Sequence, residues 1–297
     1  MLGAIVRTPA PSRTLAIRNA LTIDVEDYFQ VSAFAPYIAR DEWNQCECRV
    51  ERNVDCILSM LDDHAIHATF FILGWIAERY PRLVRRISAQ GHEVASHGYG
   101  HQRVTDLARG AFIADIQDAK NILEEICGAP ITGYRAPSFS IGSKNLWAFE
   151  CLARAGYRYS SSIYPIRHDH YGMPDAPRFA HRVHEALIEI PITTFRVLGR
   201  NLPSSGGGYF RLFPYLMSRW MLQHINTHEL ESVIFYFHPW EIDVGQPLIP
   251  GLDRKTRFRH YLNIDRMEQR LSCLLRDFRW GRMDDIFLHR QTPLLMS

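Results

Sequence analysis

Asn19-Ala20-Leu21-Thr22-Ile23-Asp24-Val25-Glu26-Asp27 is the stretch on which the reading of this chain turns. An apolar run of strand length leads directly into a cluster of carboxylates. The arrangement recurs downstream. Glu93-Val-Ala-Ser96 runs into His97-Gly-Tyr-Gly-His101, Ile131-Thr-Gly-Tyr134 into Arg135-Ala-Pro-Ser-Phe139, and Val233-Ile-Phe-Tyr-Phe237 into His238-Pro-Trp-Glu241. Helical-period segments lie between these strands. Val54, Ile57, Leu58 and Leu61 repeat at i, i+3, i+4 and i+7; residues 81–90 stop at Gly91, and 107–127 stop at Gly128 and Pro130. Such alternation predicts βα units and a parallel sheet or barrel. In that architecture the C-terminal strand ends open on one face, so the four polar clusters would converge there.

Working outward, we expect strands at 68–73, 157–160 and 187–190, a short helix followed by that at 81–90, and helices near 144–155, 215–228 and 261–278. Residues 165–213 are rich in Pro and Gly and read as a loop-rich insertion over the site. No repeat or low-complexity linker divides the chain. Residues 20–285 therefore read as a single domain, with about 195–285 including an elaborated C-terminal region.

Of the 297 residues 46% are hydrophobic and 22% charged, enough apolar material for a sizeable core without disulfide or metal staples. A net charge of +2 and the absence of any run of five cations argue against a nucleic-acid partner. The stretch Arg254 to His260 reads as a solvated helix start. No apolar run is long enough to span a membrane, and Met1 to Asn19 holds no run of signal-peptide length. Six cysteines at 46, 48, 56, 127, 151 and 273 show no CxxC spacing. They read as free thiols of a reducing, cytoplasmic setting.

His97 and His101 are four apart with two glycines between them, a spacing that lets both imidazoles converge on one ion. A carboxylate from Glu26 or Asp27 would complete a two-histidine, one-carboxylate site with positions left for water and substrate. That open geometry suits a catalytic metal. His238 emerges from an apolar strand end, and its titration range suits a general acid. Arg135, beside acidic residues, can orient a carboxylate and keep it ionised. Trp240 could stack on a sugar or pack against Pro239. Gly206-Gly207-Gly208 reads as a turn element in preference to a flexible rim.

These residues resemble the NodB-homology polysaccharide deacetylases, carbohydrate esterase family 4, and within it the branch found with exosortase (PEP-CTERM) exopolysaccharide loci. The resemblance rests on Asp24 to Phe29, Ser96 to His101, Arg135-Ala-Pro137 and Phe237 to Glu241, with His168 to Gly172 and Gly206 to Arg211 as signatures of the branch. It implies a distorted (β/α)7 barrel and metal-assisted cleavage of an acetamide. Asp24 would be the base, with Glu26, His97 and His101 holding a divalent metal: Zn2+ first, Fe, Co or Ni as alternatives. Arg135 would orient Asp24 and His238 would protonate the leaving amine. Pro137, Ser138, Tyr236 and Trp240 would contact substrate.

Three positions depart from the family pattern. Motif one usually has adjacent aspartates, whereas here Asp24 and Glu26 flank Val25 and Asp27 follows. Strand alternation favours Glu26 as the ligand, with Asp27 the alternative. Ser160 stands where relatives carry Asp, and Tyr236 where many have leucine. The implied substrate is an N-acetylated glycan or a lipid-linked oligosaccharide, the latter met by peripheral association with the inner membrane. A cyclic-amide hydrolase of the allantoinase or imidase type on the same fold is the competing enzymatic reading. A non-catalytic glycan-binding member is the other.

Overall fold

The computed structural model describes residues 17–168 and 171–288. Residues 1–16, which include most of the stretch read for an export signal, and the Asp169-His170 part of the 168–172 signature lie outside them. In chain order the elements are β1 (Asn19–Val25), α1 (Val50–Asp63), β2 (Thr69–Ile72), α2 (Gly74–Arg79), α3 (Pro81–Ala89), β3 (Glu93–Ser96), α4 (Arg109–Cys127), β4 (Gly133–Tyr134), α5 (Trp147–Arg154) and β5 (Tyr159–Ser160). Then come β6 (His181–His184), β7 (Leu187–Glu189), β8 (Thr194–Val197), β9 (Arg200–Pro203), α6 (Gly207–Leu212), α7 (Tyr215–His224), β10 (Ile234–Phe237), α8 (Arg254–Tyr261), α9 (Met267–Asp277) and β11 (Trp280–Gly281).

Seven strands run parallel in the order β10-β1-β2-β3-β4-β5-β7, with β6 antiparallel on the far edge and β11 also pairing β1. The result is a curled sheet of the (β/α)7 barrel type. Its seam lies between β7 and β10, where the amide of Ile234 donates to the Thr193 hydroxyl at 2.7 Å. Period-two alternation divides two cores. Leu21, Ile23 and Val25 face the helices, with Phe70, Ile72, Phe235 and Phe237. Ala20, Phe71, Ala95, Ile234 and Tyr236 pack in the second cluster with Met283, Ile286 and Phe287. The amide of Met283 donates to Thr69 at the start of β2, so this tail closes the end opposite the strand termini that carry the polar clusters.

The helices form where the apolar period predicts them. Val50, Val54, Ile57, Leu58 and Leu61 put one stripe of α1 in the core, each contributing about 1.5–3 kcal/mol of transfer free energy. Gly128 ends α4 with φ 65, its N–H returning to the Glu124 carbonyl at 2.8 Å. The expected final helix at 261–278 begins later, as α9 at Met267. The basic stretch itself forms α8, capped by Asp253, and the chain then turns through Asn263 at φ 50 before α9. Asn263 adopts the left-handed region that asparagine tolerates, and its amide donates to the Arg211 carbonyl at 2.8 Å. Within 165–213 lie β6, β7, the β8–β9 hairpin and α6.

Candidate active site

The strand ends converge as the sequence predicts. β1 presents Asp24 inward and carries Glu26 just past its end, both buried. β3 runs into a turn in which Gly98 takes φ 74 and His101 φ 54. Asp115 of α4 accepts the amide of Tyr99 at 3.1 Å and fastens that turn; a Cβ on Gly98 would meet its carboxylate at 2.7 Å. Glu26, His97 and His101 each bring one donor atom into a group within 4.8 Å of one another.

This donor set fits a divalent metal. His97 donates through Nδ1 to the Arg135 carbonyl at 2.8 Å, which leaves Nε2 as a lone-pair donor. Burial pushes its imidazole down to about 4, so it stays neutral at ordinary pH. Glu26 Oε2 lies 2.7 Å from His101 Nε2 as a close polar contact, and His101 Nδ1 is buried without a hydrogen-bond partner. A carboxylate and two imidazoles packed this closely in a buried site are a donor set that an ion would satisfy. Burial opposes ionisation of Glu26, but the imidazoles of His101, His238 and His97 outweigh it and hold the carboxyl far below its usual range.

Asp27, the alternative ligand, turns away. Its Oδ1 accepts the amide of Tyr28 at 2.8 Å and its Oδ2 those of Arg49 at 2.5 Å and Val50 at 2.8 Å. It caps the next turn and the start of α1, which leaves Glu26 as the carboxylate of the cluster.

Arg135, fully buried at the end of β4, holds Asp24. Its Nη1 donates to Asp24 Oδ1 at 2.5 Å and Thr22 Oγ1 at 2.8 Å, and its Nη2 and Nε reach the Ser161 hydroxyl and carbonyl at 3.0 and 3.2 Å. The guanidinium also lies 4.1 Å over the Phe71 ring. All donors point into the fold, so Asp24 sits opposite a rigid cation.

His238 ends β10 on the far side. Its Nε2 is 3.5 Å from Glu26 Oε1 and its Nδ1 3.0 Å from Glu241 Oε2. Burial alone would depress this imidazole, but Glu26 and Glu241 prevail and push it up to about 9. Glu241 is anchored in turn by Arg211 Nε at 2.9 Å; Arg211 also donates to the carbonyls of Arg259, His260 and Leu262. Two glycines permit this packing. A Cβ on Gly207 would fall 1.9 Å from Glu241, and one on Gly206, at φ 99, 2.4 Å from Tyr236. The glycine run is thus not the expected plain turn: Gly206 caps α6 and Gly207 and Gly208 open it, admitting close approach behind the site.

Of the expected substrate contacts, Trp240 needs correction. Its ring is buried, stacked 5.1 Å from His238 and 4.2 Å from His260, so neither face is open to a sugar. Its Nε1 donates instead to Glu26 Oε1 at 3.2 Å. Tyr236 packs 4.8 Å from Phe139 and 5.8 Å from His238. Pro137 is buried, and the Ser138 hydroxyl, on a backbone of φ 54, meets that of Ser32 at 2.5 Å. Beside His101 a cavity of about 380 Å3 opens between residues 29–43 and 101–106, lined by Phe29, Ile38, Arg40, Trp43 and Gln102.

Sequence reasoning passed over Glu241, Arg211 and Asp115, and one more carboxylate. Glu189 lies in register with Ser160, where relatives carry Asp. Its Oε1 accepts the amides of Ser162 and Ile163, both at 2.8 Å, and burial pushes its carboxyl up to about 7. A charged residue inside the apolar run 187–190 was the available signal.

Residues 42–160 match the polysaccharide deacetylase family, and residues 161–288 match a domain of unknown function (DUF3473). Asp24 and Glu26 precede the first match, His97, His101 and Arg135 lie within it, and Arg211, His238 and Glu241 lie within the second. Over 95 residues the chain is 34% identical to a peptidoglycan-N-acetylglucosamine deacetylase of Bacillus cereus, covering 32% of this chain and 34% of that protein. Over 82 residues it is 35% identical to a chitooligosaccharide deacetylase of Sinorhizobium fredii, covering 27% and 38%. The match thus spans about a third of the length of these relatives. Two solved structures share the fold. One is a candidate polysaccharide deacetylase from Mycobacterium smegmatis, with TM-score 0.60, 19% identity and coverage of 100% of this chain and 98% of that one. The other is Puue allantoinase, with TM-score 0.60, 15% identity and coverage of 96% and 93%.

Proposed function

From the polysaccharide deacetylase family that residues 42–160 match, we propose that the protein is a metal-dependent hydrolase that removes N-acetyl groups from an N-acetylhexosamine-containing glycan. The observation that carries this reading is the convergence of Glu26, His97 and His101 beside the buried Arg135–Asp24 pair. A divalent metal held by those three residues would activate water and polarise the acetamide carbonyl. Zn2+ suits a nitrogen and oxygen donor set of this size, with Fe, Co and Ni as alternatives.

The protein's own groups divide the remaining work. Arg135 occupies one oxygen of Asp24 and leaves the other to take a proton from the attacking water. His238 is kept protonated by its two carboxylate neighbours and delivers a proton to the departing amine, a role worth about 10²–10⁴-fold. Glu241 and Arg211 hold that imidazole in place, and Trp240 steadies Glu26. The cavity beside His101, walled by Phe29, Trp43 and Arg40, offers a course for the sugar chain.

The sequence motifs further suggest a role in exopolysaccharide biosynthesis of the exosortase-associated kind, on a lipid-linked oligosaccharide at the cytoplasmic face of the inner membrane. All six cysteines are free, which accords with a reducing compartment. Pro137, Ser138 and Tyr236 would then shape the acetyl pocket. The likeness to an allantoinase keeps one rival reading in view, ring opening of a cyclic ureide. The deciding assay measures acetate released from chitooligosaccharides, peptidoglycan fragments and lipid-linked N-acetylhexosamines after loading with Zn, Fe, Co or Ni. Absence of release from every N-acetyl substrate, or ureide hydrolysis indifferent to chelators, would overturn the proposal.

A further inference from the structure

The β8–β9 hairpin serves no part of this chemistry, and its composition is unusual for a surface turn. The register pairs Val197 with Arg200 and Phe195 with Leu202, leaving Leu198-Gly199 as a two-residue loop with φ 47 and 75. Both values are left-handed, the turn type in which Asn-Gly is favoured. Here the first position is a leucine that is 97% exposed. Its side chain gains nothing from the fold and sits on a backbone that leucine adopts poorly.

The apolar surface continues past the tip. Phe195 packs at 5.0 Å on Trp220 of α7, which is itself 56% exposed. Strand alternation puts Val197 on the face of Phe195, and Leu202 lies opposite it. Both are exposed, as are Leu216 and Met217, which precede Trp220 on α7. Within the hairpin and α7 the charge is cationic. No Asp or Glu occurs between Ile190 and His228. Arg196 and Arg200 flank the tip, and with Arg167 they line an adjoining cavity of about 980 Å3, whose wall also holds one carboxylate, Asp175. These three guanidiniums make no ion pair or side-chain hydrogen bond among the described residues; Arg178 in the same wall is committed to Glu229.

We propose that the β8–β9 hairpin and the exposed side of α7 form a docking surface for an anionic lipid bilayer, with Leu198 inserted among the acyl chains and Arg196 and Arg200 at the lipid phosphates. A projecting two-residue tip suits a fluid, penetrable partner, whereas a protein partner would need a patch of about 800 Å2. Tryptophan beside the insertion point is the aromatic that prefers the headgroup level, and apolar tips ringed by cations bind anionic surfaces. The inference stands apart from the deacetylase reading, because its test reads vesicle binding and not acetate.

The experiment is co-sedimentation of the full chain with phosphatidylcholine vesicles, with and without phosphatidylglycerol, at low and physiological salt. Binding is expected to the anionic vesicles and to weaken with salt. Each of Arg196→Gln and Arg200→Gln should weaken it about fivefold, the worth of one cation at such a surface. Leu198→Asn should weaken it at least about tenfold by removing the inserted side chain. Asparagine suits the left-handed turn, so the melting temperature of this variant should equal or exceed the parent's, and lost binding would not reflect misfolding. Equal binding to neutral vesicles, or binding indifferent to these substitutions, would overturn the proposal. So would a hairpin-dependent dimer in sedimentation velocity without vesicle binding, which would make a second copy the occupant.

Discussion

Gly207→Ala tests whether His238 depends on the carboxylate behind it. An alanine Cβ at this position would lie 1.9 Å from Glu241 Oε2 and 2.3 Å from both Cδ and Oε1, where ordinary contact begins near 3.4 Å. The carboxylate must therefore retreat by about 1.5 Å, the difference between 3.4 and 1.9 Å. The contacts it makes start at 3.0 Å to His238 Nδ1 and 2.9 Å to Arg211 Nε, so neither survives intact. Charge-assisted hydrogen bonds of this kind contribute about 1.5–3 kcal/mol each. Alanine's better helix propensity at the first position of α6 returns at most about 1 kcal/mol. A net loss of a few kcal/mol should appear as a lower melting temperature. Displacing a reacting group by about 1 Å can cost roughly 100-fold in turnover, so kcat for acetate release should fall by that order with KM nearly unchanged. Gly208→Ala is the control, because nothing lies within 4 Å of its Cβ; it should match the parent in both readouts. The reasoning is refuted if Gly207→Ala retains parental turnover, or if the two alanines are equally damaging.

Three further outcomes follow from the geometry. Glu26→Gln should lose metal by elemental analysis while keeping most of its stability; Asp27→Ala should keep metal but lose at least about 2 kcal/mol in denaturant unfolding, because three backbone amides lose their acceptor. Arg135→Met should strand a buried carboxylate and cost about 3–5 kcal/mol; Arg135→Lys should cost less in stability yet fail to restore turnover, since an ammonium cannot reach both Asp24 and Ser161. For Glu189, the folded carboxyl is raised to about 7 from an ordinary value of 4.5, so the folded state binds the extra proton. Its contribution to stability should be fully present below pH 4.5 and decline as pH rises through 7, by up to about 3 kcal/mol; Glu189→Gln should remove that component of the slope in chemical unfolding measured across the range.

Much of this architecture was legible because buried parallel strands are written as short apolar runs. β3 has the predicted bounds, and β1 extends the predicted strand by one residue, to Val25. The meeting of Glu26, His97 and His101 was legible too, since alternation along β1 separates Glu26 from Asp27. The support behind His238 was not. Glu241 gains its role from Arg211, thirty residues upstream, and Arg211 from the carbonyls that end α8. No local spacing announces such a relay. The same holds for Trp240, for which sugar stacking and packing on Pro239 both stay open until His260 is seen to cover the ring. The later start of the final helix was missed because nothing local marks Asn263 as a left-handed residue, and only its tertiary contact with Arg211 explains it.

The pairing of β1 with β10 has a temporal side. Ile23 stands opposite Phe237, more than 200 residues later in the chain, and closing so long a loop is entropically costly and slow. As the polypeptide leaves the ribosome, β1 can join β2, β3 and β4, which brings Glu26, His97, His101, Asp24 and Arg135 together early. The other margin of β1 stays bare until β10 and β11 are made. A bare apolar strand is a template for association with other chains. Nascent chains halted near residue 160 would therefore carry the assembled Glu26, His97 and His101 cluster without His238, and would be the species most in need of a chaperone.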